Sequence, residues 1–489
     1  MRPEARHFFL LAVLLVGGCA TGPDYVRPGV DMPEGWRVSA EEAAGIANVT
    51  WWREFEDPVL DELIETALAN NKDMRIAAAR VEEFAARVGI TRADALPAIG
   101  YGADASRSRL PGGGSRDLYS ATLNLGWELD VWGRIRRATE AARAELLAAE
   151  EGRRTVILSL VTAVATSYVQ LRNLDRQLEI ARDTLSSRAE SVRLFEIKLR
   201  GGVISELELA QVRSEYEQAA VRVPALERLI ALQENALSVL LGRNPGPVTR
   251  GRRVEELRLP AIPPGIPSDV LMQRPDVRAA EQRLIAANAR IGVARAAWFP
   301  SISLTGVLGQ SSGDLGNLFS SSSTVWNVGG GALGPIFEGG RIKGGIRVSE
   351  AQQRQALQEW LRAIQTAFRE INDALISVEK RREELDAQAR QVDALRMYSR
   401  KARTRYQEGY VSYIEVLDAE RRLFDAELQY EQARAELFAA LINVYKALGG
   451  GWIEEADRML GARAVEDGAG LSSSPGPGRP ALSSSGDAP

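Results

Sequence analysis

The longest pattern of hydrophobic and polar positions in this chain is helical, and it occurs twice, from Arg134 to Arg200 and from Arg341 to Glu408. Neither run contains a proline, and both are rich in Ala, Glu, Arg, Leu and Gln, which lose little on entering a helix. A helix of about 65 residues rises about 100 Å, whereas an ordinary helix has about 11 residues. We therefore expect two rods of the kind found in coiled coils, bundles or helical repeats.

The patterns also indicate what these rods pack against. Residues 155–171 of the first rod carry no charge, but their Ser, Thr and Gln residues favour packing against neighbouring helices over a membrane span. Gly201-Gly202 ends this rod, and a return helix extends to Gly242 with Pro224 inside it, where a kink or a change in packing is expected. In the second return helix a seven-residue spacing, typical of helices in a supercoiled wall, joins Leu417, Phe424, Glu431, Phe438 and Tyr445.

A second pattern, with a period of two residues, predicts β-strands. Between residues 121 and 132, polar residues and glycine alternate with Leu123, Leu125, Trp127, Leu129 and Val131. The Gly-rich segment 110–115 predicts a turn, so we expect a β-hairpin at about 98–132 and, by repetition, another at about 301–337. A strand half-buried on a soluble core would alternate in this way, as would a barrel strand with one face in lipid.

The second half of the sequence repeats the first. Residues between Asp73 and Pro97 recur 203 positions later, and Gly133-Arg134-Ile135 recurs 207 positions later. Such a regular offset indicates internal duplication. The predicted divisions are a signal peptide (1–18), an extended N-terminal lead (19–57), a first repeat (58–242), a linker (243–267), a second repeat (268–451) and a C-terminal region (452–489), its tail disordered from about residue 462.

The N-terminal segment predicts export. Arg2 and Arg6 precede an apolar stretch that is too short to span a membrane. Val16-Gly17-Gly18-Cys19 resembles a bacterial lipobox, which implies a diacylglyceryl group on Cys19; an ordinary secretory signal with a chance cysteine is the alternative. By resemblance to bacterial lipoproteins, Ala20 favours sorting to the outer membrane. In an exported, lipidated chain, the alternating strands favour a barrel whose outer side faces lipid.

Composition excludes several functions. The formal net charge of −4 argues against a nucleic-acid partner, because no positive excess is available for phosphates. His7 and Cys19 are the only histidine and cysteine, and both precede or begin the predicted mature chain. Metal sites of the His or Cys type and Ser-His or Cys-His nucleophiles are therefore excluded. We expect no metal, no cofactor and no enzymatic activity.

Each half thus predicts a helix, a β-hairpin, a long helix and a return helix, which is a mainly α fold with a small β part. Four strands cannot close a membrane barrel, whose smallest bacterial forms have eight, yet strand edges must be paired in lipid. A ring of identical chains solves this problem. Three copies would give twelve strands.

Three motifs carry a resemblance to a known family. They are Trp51-Trp52…Phe55…Asp57-Pro58…Leu60…Leu63-Ile64, Pro335-Ile336-Phe337-Glu338-Gly339-Gly340 and Gly409…Val416-Leu417-Asp418-Ala419. Together they resemble the lipidated, TolC-like outer-membrane factors of tripartite (RND-type) efflux systems, over about residues 23–451. The resemblance implies a homotrimer with a 12-stranded transmembrane β-barrel in outer-membrane lipid, joined to an α-helical barrel that forms a tunnel through the periplasm. It also implies a periplasmic adaptor and an inner-membrane transporter as partners. The implied function is a passive duct that exports small molecules or drugs.

The resemblance also implies a gate at the periplasmic tip. Asp418 would form an acidic ring, with Ile414 one turn earlier and Glu415 beside it, and such rings select cations; an exposed helix face is the alternative for these acids. Tyr406 and Glu208 match a tyrosine and an acid that help hold related channels closed, although Glu208 replaces the usual Asp. Adaptor contacts are expected in the turns 201–205 and 408–412, which include Gly201, Gly202, Ser205, Gly409 and Ser412.

Three alternative functions are distinguishable from the sequence. A channel of a type I protein-secretion system would share the fold, but the acyl cysteine and the Trp51-Trp52 opening favour the small-molecule pump, because secretion members of the family usually lack that cysteine. A lipid-anchored periplasmic scaffold would explain the rods and not the hairpins. A cell-wall or lipid hydrolase would need an acid pair in a cleft, and no such motif is present.

Overall fold

A computed structural model describes residues 20–30, 50–109, 112–259 and 274–449, together with Ile453 and Ala456. The predicted signal peptide, Cys19, the end of the linker and the predicted disordered tail lie outside these residues. The structure therefore tests the two repeats and the part of the N-terminal lead that follows the cysteine.

The two halves fold as the duplication predicts, each with the order helix, β-hairpin, long helix and return helix. The first half contains α1 (Pro58–Asn70), α2 (Lys72–Ala93), β1 (Ala98–Arg109), β2 (Ser115–Leu129), α3 (Arg134–Arg200) and α4 (Glu206–Leu240). The second half contains α5 (Pro275–Ala296), β3 (Ser301–Ser312), β4 (Thr324–Leu333), α6 (Arg341–Gln407) and α7 (Tyr413–Leu448). The long helices α3 and α6 have 67 residues each, so each rises about 100 Å.

The helices stand side by side in a wall. Near the sheet the order is α2, α3, α5 and α6, whereas farther away it is α4, α3, α7 and α6. The long helices α3 and α6 thus run through both levels, and the shorter helices fill the places beside them. The return helix α4 continues through Pro224 without ending there.

The largest core lies where the two levels meet. Trp51 stacks on Tyr445 of α7 with ring centroids 5.1 Å apart, and Phe55 lies 5.7 Å from Phe438. The charge-free part of α3 packs into this core, where the Tyr168 hydroxyl donates a hydrogen bond to Asp57 at 2.6 Å. Among the described residues, α3 is the one helix with a stretch long and apolar enough to cross a membrane, and 56% of that stretch is buried within the chain. The predicted packing against neighbouring helices is confirmed.

The two β-hairpins, β1–β2 and β3–β4, form one antiparallel sheet in the order β1-β2-β3-β4. Pairing of β2 with β3 joins the two repeats, with Leu123 opposite Leu308. A row of apolar side chains crosses all four strands on one face: Tyr101, Leu123, Leu308 and Trp326. Tyr101 and Trp326 at the two edges are 90% and 74% exposed. Polar residues such as Asn124 and Asn327 occupy the other face, as in a strand with one side in lipid and one side in water.

The strand β2 is longer at its start than the alternation predicts. It begins at Ser115, which pairs with Arg109, and it ends at Leu129 instead of continuing to Trp132. Beyond the strand, the Trp132 indole N–H donates to the carbonyl of Pro300, and its ring stacks on Phe299 at 4.6 Å. The last residues of the alternating stretch thus fasten the sheet to the helical wall.

Candidate functional site

The predicted gate lies at the end of the wall farthest from the sheet. The two helical turns meet there, because one apolar cluster contains side chains from all four helix ends: Phe195 of α3, Leu209 of α4, Tyr406 of α6 and Leu417 of α7. Both predicted adaptor-contact turns therefore lie at the same tip. From here on, the first hairpin is the helical pair α3–α4, and the second hairpin is the helical pair α6–α7.

The turn of the first hairpin is closed by backbone and side-chain hydrogen bonds. Gly202 adopts a φ of 69°, the left-handed conformation that glycine adopts without strain, and the Val203 N–H donates to the Lys198 carbonyl at 2.9 Å. Ser205 and Glu208 form a capping box at the start of α4, in which the Ser205 N–H donates to the Glu208 carboxylate at 2.8 Å. This turn is thus well defined on its own.

The turn of the second hairpin has the same backbone shape and fewer side-chain bonds. Gly409 has a φ of 80°, and the Tyr410 N–H donates to the Arg405 carbonyl at 2.9 Å. Ser412 precedes the first residue of α7, but its side chain makes no capping hydrogen bond. The start of α7 therefore lacks a bond that the start of α4 has.

Aromatic side chains connect the two hairpins at the tip. The ring of Tyr413 lies 4.3 Å from that of Phe195 and 4.9 Å from that of Tyr406. Burial raises the pKa of the Tyr413 hydroxyl. The Lys198 ammonium donates a hydrogen bond to the Tyr406 hydroxyl at 2.9 Å, which links α3 to α6. Sequence reasoning missed Lys198, because its partner is 208 residues away.

Tyr406 and Glu208 take different partners within this chain. The Glu208 carboxylate accepts a hydrogen bond from Ser205 in the capping box, and the Tyr406 hydroxyl accepts one from Lys198. No hydrogen bond joins these two side chains within the described residues, and Lys198 is the residue that binds the tyrosine. A role for either residue in closing a channel stays a prediction.

The acids predicted to form a ring lie on a mixed-charge face of α7. The Asp418 carboxylate forms ion pairs with Arg421 and Arg422, both at 2.8 Å. Ile414, one turn earlier, is 56% exposed, and Glu415 makes no ion pair within the described part of the chain. The two arginines were missed as site residues, although a spacing of three and four residues after an aspartate predicts such contacts.

A buried ion pair fixes the first hairpin about 20 Å from its turn. The Arg188 guanidinium of α3 is 5% exposed, lies 3.2 Å from the Glu215 carboxylate of α4 and sits over the ring of Phe424 in α7. Burial lowers the pKa of Arg188 and raises that of Glu215. This pair therefore ties three helices together.

The charged groups at the tip do not gather into a cluster of metal-ligating side chains within the described residues. In the stretches 20–30, 50–109, 112–259 and 274–449, no group of three or more His, Cys, Asp or Glu side chains could hold a metal ion. The charged groups at the tip instead pair with one another or face outward. Such a surface suits contact with water, ions or another protein.

Comparisons with known proteins agree with this geometry. The sequence pattern of the family described as "Outer membrane efflux protein" matches residues 63–243 and 266–450. A probable efflux pump outer membrane protein, SepC of Pseudomonas putida, is 38% identical over 476 residues, which cover 94% of this chain and 99% of SepC. The cation efflux system protein CusC of Escherichia coli is 38% identical over 457 residues, covering 91% of this chain and 98% of CusC.

Solved structures show the same fold. A crystal structure of CusC superposes with a TM-score of 0.81 at 37% identity and covers 88% of this chain and 100% of that one. The open state of the MtrE outer membrane channel of Neisseria gonorrhoeae superposes with a TM-score of 0.83 at 32% identity, covering 89% and 99%. The chain belongs to the outer membrane efflux protein family.

Proposed function

We propose that three copies of this chain, which is the outer-membrane channel of a tripartite efflux pump, close into one continuous duct. The observation that carries the proposal is the four-stranded sheet. Its apolar face is exposed, and the outer edges of β1 and β4 pair with no strand within the described residues. Pairing β1 of one copy with β4 of the next would satisfy both edges and would place the apolar face in lipid.

The helical wall then supplies the periplasmic part of the duct. Its length of about 100 Å is suited to a water-filled path from the outer membrane toward the inner membrane. The turns 201–205 and 408–412 would meet a periplasmic adaptor, and an inner-membrane transporter would supply the energy. Because relatives are named for toluene, solvent, antibiotic and cation efflux, we propose small molecules as the cargo.

The proposed lipid anchor is compatible with where the N-terminal lead begins. Ala20 lies against Gly133, at the junction between β2 and α3, so the preceding Cys19 would start near the membrane end of the wall. A diacylglyceryl group on that residue would enter the inner leaflet of the outer membrane without spanning it. Mass spectrometry of the purified N-terminal peptide would detect the lipid, and an unmodified mature N-terminus would contradict it.

Cross-linking tests the closed ring directly. Cysteines introduced together at Tyr101 in β1 and Trp326 in β4, and joined by a bifunctional thiol reagent in membranes, should give dimers and trimers and no larger product. Tyr101→Cys alone is the matched control and should give neither, because β1 strands of neighbouring copies would not meet. Products that remain monomeric, or that extend beyond three chains, would contradict the proposal.

A further inference from the structure

A groove of about 690 Å³ crosses the upper part of the wall, between the sheet and the main core. It is lined by residues of α2, α3, α5 and α6, the four helices that stand side by side at that level. When helices stand in a curved row, one groove can be lined by all of them only on the concave side of that row. The groove therefore lies on the concave side of the wall, which faces the bore when the proposed ring is closed.

The N-terminal lead lies on the opposite side of the wall, which is the outer side when the proposed ring is closed. The Tyr25 hydroxyl donates to Glu281 of α5 at 3.1 Å, and the Asn288 side chain donates to the Pro23 carbonyl at 2.9 Å. Arg283 and Arg290 each follow one of these α5 residues by two positions, which is about 200° around a helix. Both arginines accordingly face away from the lead and into the groove, where they are exposed.

The lead is held closely against that outer face. Gly22 has a φ of 99°, and a side chain there would meet the backbone of Gly292 at 2.5 Å. The Thr21 hydroxyl donates to the carbonyl of Gly292 at 3.1 Å. This contact of two glycines leaves no room for a substrate between the lead and α5, so the concave side is the accessible face of α5 at this level.

The groove carries an excess of positive charge. Its lining contains four arginines and two glutamates, namely Arg80, Arg153, Arg283, Arg290, Glu145 and Glu359. Arg290 is paired with Glu145, whereas Arg80 and Arg283 make no ion pair within the described residues. These two arginines are equivalent in the duplicated sequence, 203 positions apart. Each chain therefore presents the same unpaired guanidinium twice, and three chains would present it six times.

Apart from Gln352 and Gln355 of α6, the rest of the lining is apolar and mostly small. Phe84 and Val156 contribute the larger apolar surfaces, and Gly152 leaves the backbone of α3 open to the groove. Guanidinium groups above an apolar floor can bind an anionic head and an aromatic or aliphatic body at once. A cation would be repelled at the same place.

We propose that the upper bore of this channel contains a basic belt, formed by Arg80 and Arg283 of each copy, that binds anionic amphiphiles as they pass. The class meant is a small molecule with one carboxylate or sulfonate on an apolar body. This inference rests on the proposed function, because the groove faces a bore only in the closed ring. The belt would give the channel a preference for anionic cargo, and this preference would arise in the upper bore and not at the tip.

Single-channel recordings with two related probes test the belt. Anilinonaphthalene sulfonate is an anion, and phenylnaphthylamine is a neutral compound with nearly the same apolar framework. In planar bilayers that contain the full-length protein, the anion should block current at a lower concentration than the neutral compound. In the variant with Arg80→Gln and Arg283→Gln, the half-blocking concentration of the anion should rise roughly tenfold, while block by the neutral probe should not change.

A matched control removes the same charge from the other side of the wall. Arg354 of α6 is exposed, makes no ion pair in the described part of the chain and lies two positions, about 200°, from the groove residue Gln352. In the Arg354→Gln variant, both probes should block the current at the same concentrations as in the unmodified channel. Equal block by the two probes, or no change in the double variant, overturns the belt alone. Protein that inserts and passes no current overturns the proposed function as well.

Discussion

The two helical hairpins at the tip derive from one duplicated sequence, yet they are held in different ways. In the first hairpin a capping box closes the start of α4, and a buried ion pair joins Arg188 to Glu215. In the second hairpin the start of α7 has no side-chain cap, and the ion pair between Arg403 and Glu420 is partly exposed on the arginine side. Equal sequence patterns therefore do not give equal stability.

The position of each long helix in the wall explains the difference. The lower half of α3 lies between α4 and α7, so both of its sides are covered. Within one chain the lower half of α6 packs on α7 alone, and beyond Val378 its buried side chains are Val392 and Ala402, so its other side can be covered only by the next copy of the proposed ring. Regions with few buried contacts open at lower cost. We therefore expect the first hairpin to act as the fixed support and the second hairpin to be the part that rearranges.

The largest expected effect comes from breaking the buried pair of the first hairpin. Arg188→Ala leaves the Glu215 carboxylate, which is 17% exposed, without its partner and should reduce the free energy of unfolding by about 3 kcal/mol, the lower end of the range for a buried pair. Denaturant unfolding of the purified channel, followed by circular dichroism, would measure this. Arg182→Ala removes an exposed pair with Glu227 on the same two helices and should cost less than about 1 kcal/mol. Equal losses would show that the buried pair has no special role.

A smaller effect is expected at the bond that links the two hairpins. Tyr406→Phe removes the acceptor of the Lys198 ammonium, a hydrogen bond of about 1.5 kcal/mol, and should increase the open probability of single channels roughly tenfold. Tyr410→Phe is the control, because Tyr410 is exposed in the neighbouring turn. If both variants open alike, the Lys198 bond does not hold the second hairpin in place.

The two helix starts allow a direct comparison with matched substitutions. Ser205→Ala removes the capping box of α4 and should destabilise that helix start by about 1 kcal/mol. Ser412→Ala should change the stability of the start of α7 by only a few tenths of a kcal/mol, because Ser412 makes no capping hydrogen bond that the substitution could remove. Amide hydrogen exchange in the first turns of α4 and α7 would measure both. Similar changes at the two positions would mean that the hairpins are held more equally than their contacts indicate.

Much of this architecture can be predicted from the sequence, because it depends on local signals. The absence of proline and the Gly201-Gly202 turn give the bounds of α3, and the alternation in β2 gives an apolar face that the sheet register confirms. The capping box could also have been found, since Ser205 is followed three residues later by Glu208. Arg421 and Arg422 could have been assigned to Asp418 by helix spacing.

The contacts between hairpins could not be predicted in the same way. Lys198 meets Tyr406 because of how α3 and α6 are rotated against each other, and no local pattern determines that rotation. Arg188 is one of many arginines on α3, and its burial follows from Phe424 of a helix more than 200 positions later. Pro224 lies inside α4, as the sequence predicts, and a kink or a change in packing at that residue stays a prediction.

The smallest expected effect concerns ion selectivity and the mixed charges of the second hairpin. Asp418→Ala with Glu415→Ala should lower the preference for cations, and because Arg421 and Arg422 would then lack their partner, the permeability ratio of K⁺ to Cl⁻ should fall on the order of threefold. Arg421→Gln with Arg422→Gln should shift that ratio in the opposite direction by a similar factor. Reversal potentials in a KCl gradient measure both. If neither pair of substitutions moves the reversal potential, this face of α7 lies off the conduction path, and the second hairpin does not form the selective ring.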